Sequence, residues 1–132
     1  MTLLVDTSAL YALLDNDDPN HPSAKAFWSS LRDDQLPVTH NYVLLETCAL
    51  VQRRLGVEAL QALVDEVLQP ISMLFVDEEL HRTAIATVLA ARRREVSLVD
   101  RVSFEVMRRL GFGTAFAFDA HFEEFGFRAL PN

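Results

Sequence analysis

Four carboxylates stand in stretches of sequence that are otherwise apolar. Asp6 lies in LLVDTSALYALL, Glu46 in YVLLETCALV, Asp100 in SLVDRVSF and Asp119 in AFAFDAHF. Most other acidic residues lie in visibly polar stretches such as DNDD, RDD and DEE. A carboxylate that is buried alone is costly or is forced to be neutral, unless it is hydrogen-bonded, paired or bound to a cation. These four residues are therefore the first candidates for chemistry.

Carboxylates that gather at one place repel each other and raise each other's pKa unless a cation lies among them. A hard divalent ion with oxygen ligands is the natural occupant. The sequence has one cysteine, Cys48, and no obvious histidine cluster, so Mg²⁺ or Mn²⁺ is favoured over Zn²⁺. Such ions activate water and neutralise the charge that develops on phosphate oxygens. The pattern favours metal-assisted hydrolysis of a phosphate ester.

Helix capping is the competing interpretation for three of the four. Asp6 could cap the helix that follows it, and Asp119 could cap a turn at 120–125. Asp100 fits an S-x-x-D capping box that begins at Ser97. Taken one at a time, each of these three is explained by capping, and only their combination favours a site.

Glu46 is not explained by capping, because it is predicted to lie inside a helix over 41–55. The predicted core stripe of that helix consists of Leu44, Cys48, Val51 and Leu55. Glu46 is expected to point away from the stripe. It is either a solvated residue paired with Arg53 or part of a cleft.

Strands that alternate with helices are predicted to position these carboxylates. The predicted strands are 2–6, 36–40, 72–76, 115–118 and 127–130. The predicted helices are 7–14, 22–33, 41–55, 57–68, 78–94 and one that runs from 97 to Gly111. This order indicates an α/β fold with a mainly parallel sheet, in which ligands lie at the carboxyl ends of the strands. Asp6 and Asp119 follow two of these strands and are expected to converge at that edge.

Length, composition and charge limit the number of domains, the location and the partners that this chain is expected to have. The 132 residues predict one domain, and half of them are hydrophobic, which is ample for a core. No apolar run approaches the length of a membrane span and no signal peptide is recognisable, so the cytoplasm is the expected location. The net charge of −7 argues against sequence-blind binding of nucleic acid. Arginine clusters at 53–54, 92–94 and 108–109 are either solvated helix ends or phosphate-binding groups.

At these motifs the sequence resembles the PIN-domain family, and especially its VapC-type toxins of bacterial toxin–antitoxin pairs. The segments that carry the resemblance are VDTSALYALLD, HNYVLLETCAL, SLVDRVSFEVM and AFAFDAHFEEFGF, and they span essentially the whole chain. The resemblance implies a single PIN domain over 1–132, built as a three-layer α/β/α sandwich with a mainly parallel five-stranded sheet. It further implies a Mg²⁺- or Mn²⁺-dependent endoribonuclease.

Carried over to this sequence, the resemblance makes Asp6, Glu46, Asp100 and Asp119 the catalytic acidic quartet. Asp6 and Asp100 would bind the metal directly, Asp119 directly, through water or through a second ion, and Glu46 through a water that it holds or activates. The positions that correspond to the polar surroundings of the site in the family are Thr7, Ser8, Asn41 and Ser97, although capping explains them nearly as well.

Two residues beside the quartet are ambiguous. His121 follows Asp119 by two positions and is predicted to be structural rather than catalytic. Arg101 directly follows Asp100, where relatives commonly carry a small residue. Its guanidinium either binds a phosphate of the substrate or pairs with Asp100 and competes with the metal.

The resemblance also implies partners: an RNA substrate, a cognate antitoxin and a second copy of the chain in a homodimer. The helices over 41–68 offer apolar residues for such contacts, which are Leu60, Leu63, Val64, Val67 and Leu68. The alternative is that these residues only pack on the sheet.

Two other functions compete with the nuclease. A haloacid-dehalogenase-like phosphatase would use Asp6 as a nucleophile, but that family has a second aspartate where this chain has Ser8. A PIN-like module that binds RNA or protein without cutting is the other alternative. The intact quartet argues against it, because a protein without the activity has little physical reason to keep four clustered acids.

Overall fold

A computed structural model describes all residues from 1 to 132. It contains five strands and seven helices. The strands are β1 (Thr2–Val5), β2 (Leu36–His40), β3 (Ser72–Leu74), β4 (Thr114–Phe116) and β5 (Arg128–Leu130). The helices are α1 (Thr7–Leu14), α2 (His21–Ser29), α3 (Asn41–Leu55), α4 (Val57–Ala62), α5 (Glu78–Ala91), α6 (Leu98–Leu110) and α7 (His121–Glu124). A π-helical turn over Leu63–Val67 follows α4.

The strands form one sheet in the order β3-β2-β1-β4-β5, and every neighbouring pair is parallel. All five carboxyl ends therefore lie along one edge. β1 is central, with β2 on one side and β4 on the other, so the residues that follow these three strands meet at the middle of the edge. The predicted parallel five-stranded sheet is confirmed.

Helices cover both faces of this sheet. Leu3 and Val5 pack in one core cluster with residues of α1, α2 and α3, while Leu4 packs in a second cluster with residues of α5, α6 and α7. Both faces of β1 are thus buried, which explains why its sequence is apolar without polar alternation. The arrangement is the predicted three-layer α/β/α sandwich.

Two predicted strands end early because side-chain oxygens accept hydrogen bonds from their last backbone N–H groups. The residues at 75–76 and 117–118 are not in the sheet. The Val76 N–H donates to Asn41 Oδ1 (2.7 Å), and the Phe118 N–H donates to Ser8 Oγ (2.9 Å). A backbone donor that already has a partner does not need a neighbouring strand. The chain is therefore free to turn at the edge where the acids lie.

Several helix ends differ from the predicted bounds. Helix α2 ends at Ser29 rather than at 33, and α5 ends at Ala91 rather than at 94. Arg92 stops α5 because its backbone is left-handed, with φ of 53°. Helix α6 begins after Ser97 and stops at the left-handed Gly111, as predicted.

The buried face of α3 differs from the predicted stripe. Its fully buried residues are Val43, Thr47 and Val51, whereas Leu44, Cys48 and Leu55 are only half-buried at the flanks. Thr47 tolerates burial because its hydroxyl donates to the Val43 carbonyl at 2.7 Å. The face is therefore rotated from the prediction by about one residue position.

Most of the apolar residues predicted as a partner surface pack inward. Leu63 is fully buried, and Leu60, Val67 and Leu68 are half-buried against the core. Val64 is 45% exposed, and on the same helices Leu45 and Val57 are 71% and 66% exposed. No helix of the chain is of a length and hydrophobicity that would cross a bilayer.

Candidate active site

Asp6 and the segment that leads to Asp119 are held together by Ser8. The Ser8 hydroxyl donates to Asp6 Oδ2 at 2.6 Å and accepts from the Phe118 N–H at 2.9 Å. The Asp6 N–H in turn donates to the Phe116 carbonyl at 3.0 Å, which continues the β1–β4 pairing past the strand ends. Asp6 and Asp119 thus emerge side by side from neighbouring strands, as the sequence predicts.

Asp100 reaches the same edge from the first turn of α6. The Ser97 Oγ accepts from the Asp100 N–H at 3.0 Å, and Asp100 Oδ2 accepts a longer bond from the Ser97 N–H at 3.4 Å. The predicted capping box is therefore present. Asp100 Oδ1 accepts no hydrogen bond from the chain, so capping uses only one of the two carboxylate oxygens.

The electrostatics show that these carboxylates lie near one another, and no arginine or lysine pairs with them. Burial raises the pKa of Asp6 to about 7, and the charges of Asp100 and Asp119 add to the rise, while hydrogen bonds from Ser8 oppose it. Burial also raises the pKa of Asp100 to about 6, and the charges of Asp119 and Glu46 add to the rise, while the hydrogen bond from the Ser97 N–H and the charge of His121 oppose it. Perturbed acids of this kind are typical of functional sites.

Glu46 approaches the cluster from α3. Its side chain is exposed, and its charge contributes to the raised pKa of Asp100. It forms no ion pair with Arg53, so the alternative of a paired surface glutamate does not hold. Glu46 therefore lies on the open side of the cluster, whereas Asp6 and Asp100, only 4% and 7% exposed, form its floor.

Asp119 and His121 complete the cluster. Asp119 Oδ1 accepts from the His121 N–H at 2.9 Å, which gives Asp119 the predicted turn-capping contact. The His121 ring turns back, so that Nδ1 lies 3.1 Å from Asp119 Oδ1 and 3.6 Å from Asp100 Oδ2. The ligand atoms of Asp100, Asp119 and His121 all lie within 4.8 Å of one another. The sequence predicts a structural role for His121, and its spacing of two residues from Asp119 does not by itself indicate that the ring lies beside Asp100.

The four polar positions beside the quartet divide into two pairs. Ser8 and Ser97 bond to quartet carboxylates, as described above. Thr7 and Asn41 instead tie elements together: the Thr7 hydroxyl donates to the Val43 carbonyl at 3.3 Å, and Asn41 accepts from Val76. These two residues hold α3 against the start of α1 and against the segment that follows β3, and through α3 they set the place of Glu46.

Arg101 is buried but does not pair with Asp100. It is 8% exposed, and its guanidinium carbon lies 4.7 Å from the centre of the Phe125 ring. The interpretation in which Arg101 neutralises Asp100 and competes with a metal is therefore not realised. A role of Arg101 in binding phosphate stays a prediction.

We expect the metal-free chain to lose stability as the pH rises from about 4 to about 7. The folded-state pKa values of Asp6 and Asp100 are raised, so the folded chain binds more protons than the unfolded chain across this window. The free energy of unfolding then falls with pH until both groups are ionised. Denaturant unfolding in EDTA at a series of pH values measures this fall, which should amount to several kcal/mol.

An Asp6→Asn variant provides the control, because it cannot ionise at this position. Burial lowers the pKa of His40 to about 4, so the contribution of His40 to stability rises with pH. This contribution is the same in the parent and in the variant. The difference between the two unfolding curves therefore isolates Asp6. Equal pH dependence in parent and variant would contradict the prediction.

Comparisons with known proteins place this geometry in a family. The PIN domain family model matches residues 3–128. The chain is 36% identical over 126 residues to the 23S rRNA-specific endonuclease VapC20 of Mycobacterium tuberculosis, covering 95% of each protein. The crystal structure of VapC20, described as a Sarcin-Ricin loop cleaving toxin, superimposes with a TM-score of 0.85 at 35% identity over 95% of both chains.

More distant solved structures share the fold. FitAcB from Neisseria gonorrhoeae matches with a TM-score of 0.70 at 15% identity, covering 99% of this chain and 97% of that one. VapBC2 from Rickettsia felis matches with a TM-score of 0.68 at 10% identity, covering 98% and 97%. The family match, the 36% identity across nearly the whole length and the shared architecture agree, and the chain belongs to the PIN domain family.

Proposed function

We propose that this chain is a metal-dependent endoribonuclease that acts as the toxin of a toxin–antitoxin pair. The observation that carries the proposal is the acidic cluster at the carboxyl edge of the sheet. The charges of its members add to the raised pKa of Asp6 and of Asp100, and no arginine or lysine of the chain pairs with them. Such a cluster is costly to fold unless a cation of the functional state offsets it.

The identity of the relative supports RNA as the substrate. VapC20 is named for cleavage of 23S rRNA, and this chain shares 36% of its residues over 95% of both lengths. We therefore propose large-subunit ribosomal RNA as the first substrate to test. The arginines that have no carboxylate partner, including Arg92 and Arg94 just ahead of α6, are available for its phosphates.

The residues present fit Mg²⁺ or Mn²⁺. Asp6, Asp100 and Asp119 would hold the ion, with Glu46 acting through a water, since hard divalent ions prefer carboxylate oxygens. The free Oδ1 of Asp100 and the raised pKa of two of the three acids support this assignment. Such an ion, when bound, supplies Lewis-acid stabilisation of the charge that develops on the phosphate oxygens.

The chain's own residues supply orientation and proton transfer. Ser8 fixes the Asp6 carboxylate and Ser97 fixes that of Asp100, so both acids are held in one orientation before substrate binds. Glu46 makes no hydrogen bond within the chain and faces the open side. It is therefore free to orient the attacking water and to accept its proton while the bond from phosphorus to the leaving oxygen breaks.

Partners and location follow from the same proposal. We propose a cognate antitoxin and a homodimer, with the exposed apolar side chains of α3 and α4, Leu45 and Val57, as part of a contact surface. The description of VapC20 as a toxin supports the antitoxin. We also propose that residues 1–132 act as one PIN domain in the cytoplasm.

The direct test is to incubate the purified chain with total RNA and with ribosomes in Mg²⁺ or Mn²⁺, with EDTA as the control, and to map the new RNA ends. Discrete, metal-dependent ends support the proposal. Metal binding without cleavage of either substrate would favour the RNA- or protein-binding module. The phosphatase alternative is disfavoured because Ser8, in the place of the second aspartate, bonds to Asp6.

We expect Mg²⁺ or Mn²⁺ to stabilise the fold. An ion that binds only the folded state adds about 2.7 kcal/mol when its concentration is a hundred times its Kd. Thermal melts with and without the ion measure the gain, and Asp100→Asn should lose most of it. A variant that gained as much as the parent would show that the ion binds elsewhere.

A further inference from the structure

The ring of His121 occupies an unusual position within the acidic cluster. Its Nδ1 lies 3.1 Å from Asp119 Oδ1 and 3.6 Å from Asp100 Oδ2, and it is shielded from solvent. Despite these short distances, Nδ1 has no hydrogen-bond partner. A buried polar atom without a partner is uncommon in folded proteins and calls for an explanation.

The geometry explains why neither carboxylate serves as that partner. A ring N–H must point close to its acceptor to form a hydrogen bond. Nδ1 does not point closely enough at Asp119 Oδ1, which is 3.1 Å away, and Asp100 Oδ2, at 3.6 Å, is too far away for a hydrogen bond. If Nδ1 instead carries its lone pair, three electron-rich atoms face one another. That arrangement is repulsive unless a cation lies among them.

The spacing of the three atoms matches that of ligands around one ion. Two adjacent ligands of an octahedral ion, each about 2.1 Å from it, lie roughly 3.0 Å apart, and opposite ligands lie roughly 4.2 Å apart. The distances from Nδ1 to the two carboxylates, 3.1 and 3.6 Å, fall in this range. The ligand atoms of all three residues lie within 4.8 Å of one another, so small side-chain movements suffice to bring them to the spacing of ligands around one ion.

We propose that His121 Nδ1 is a direct ligand of the metal ion, together with Asp100 and Asp119. This inference rests on the metal site of the proposed function and changes its chemistry. A site made only of oxygens suits Mg²⁺, whereas an imidazole nitrogen favours transition metals such as Mn²⁺. The chain therefore carries a mixed nitrogen and oxygen site that prefers Mn²⁺ to Mg²⁺.

Electron spin echo spectroscopy of the Mn²⁺-loaded chain tests this directly, because a coordinated imidazole nitrogen modulates the Mn²⁺ signal. The sample is held at pH 8, above the pKa values of Asp6 and Asp100. We expect ¹⁴N modulation in the parent and a change to the ¹⁵N pattern when the histidines are ¹⁵N-labelled. His121→Ala and His121→Gln should both lose the modulation.

His21→Gln is the matched control, since that ring bonds to the Ala12 carbonyl and has no place in the cluster. It should keep the modulation. In calorimetry, removal of the ring should lower the affinity for Mn²⁺ by at least about tenfold, and the affinity for Mg²⁺ by less. The preference for Mn²⁺ should therefore shrink in both His121 variants and persist in His21→Gln.

The possible failures are distinguishable. Mn²⁺ binding that is lost in Asp100→Asn but shows no nitrogen modulation in the parent would overturn the role of His121 and leave the proposed nuclease intact. Nitrogen modulation that persists in both His121 variants would also overturn the role of His121 and leave the proposed nuclease intact. The absence of any saturable Mn²⁺ binding would overturn the proposed metal site and this inference with it.

Discussion

Asp100→Asn is expected to reduce metal-stimulated RNA cleavage on the order of 10³-fold or more, because it removes a charge from a cluster that acts as one unit. The Asp100 carboxylate is 7% exposed and lies among Asp119, Glu46 and His121. The amide keeps its shape and can still accept from the Ser97 N–H. The fold should therefore survive while the charge that attracts the metal is lost.

The free energy of unfolding provides a second measurement, and we expect Asp100→Asn to leave it unchanged or raise it while the activity falls. Because burial and like charges raise the pKa of Asp100, its ionised form destabilises the metal-free fold. At pH 8 in EDTA, Asp100→Asn should thus be at least as stable as the parent, although it is far less active. A variant that loses activity only because it unfolds would show the reverse order of stability.

Asp77→Asn is the matched control for this prediction. Asp77 is the N-cap of α5 and accepts from the Leu80 N–H at 2.8 Å, so like Asp100 it stabilises the start of a helix, but it lies outside the acidic cluster. The same substitution there should leave cleavage nearly unchanged. Similar losses in both variants would assign the effect to capping rather than to metal chemistry.

Capping and site chemistry turn out not to be alternatives in this fold. Asp6 is the N-cap of α1 and Asp100 takes part in the capping box of α6, and each side chain also lies in the acidic cluster. A helix that starts at the carboxyl edge of a parallel sheet brings its first turn to that edge. The cap residue and the residues of the first turn are then also edge residues. The capping motif therefore predicts a position at the edge without excluding a function there.

The sheet was predictable because its signal is local. The run TLLV has no polar alternation, which is typical of a strand buried on both faces, and the following Asp6 marks the edge. The ends of β3 and β4 were not predictable, since they depend on Asn41 and Ser8 accepting backbone N–H groups that are 35 and 110 residues away in the chain. Such long-range bonds leave no periodic pattern in the sequence.

The place of His121 was likewise hidden from the sequence. A histidine two residues after an acid occurs in many turns, and its ring direction depends on how α7 packs. Here the packing of Phe122 against Phe104 fixes α7 on α6, and the ring is thereby turned toward Asp100. The identity of the acids was thus accessible from sequence, whereas the nitrogen beside them required the tertiary structure.

Glu46→Gln is expected to slow RNA cleavage at least ~100-fold in the same metal, while the melting temperature stays near that of the parent. Groups that orient water or accept a proton typically contribute 10²–10⁴ in rate. Gln keeps the shape of the side chain but loses its charge and basicity. The buried face of α3, formed by Val43, Thr47 and Val51, is untouched, and the exposed Glu46 bonds to no other residue, so stability has little to lose.

Initial cleavage rates with a ribosomal RNA substrate, measured alongside thermal melts, check this result. Glu58→Gln is the control, because Glu58 is an exposed glutamate at the start of α4, outside the acidic cluster, and its variant should cut at the parent's rate. Combining Glu46→Gln with Asp100→Asn should add little to the single losses, since residues that act as one unit are strongly non-additive. If Glu46→Gln cut RNA as fast as Glu58→Gln, Glu46 would have no part in the chemistry, and the buried floor with Asp119 would carry the reaction alone.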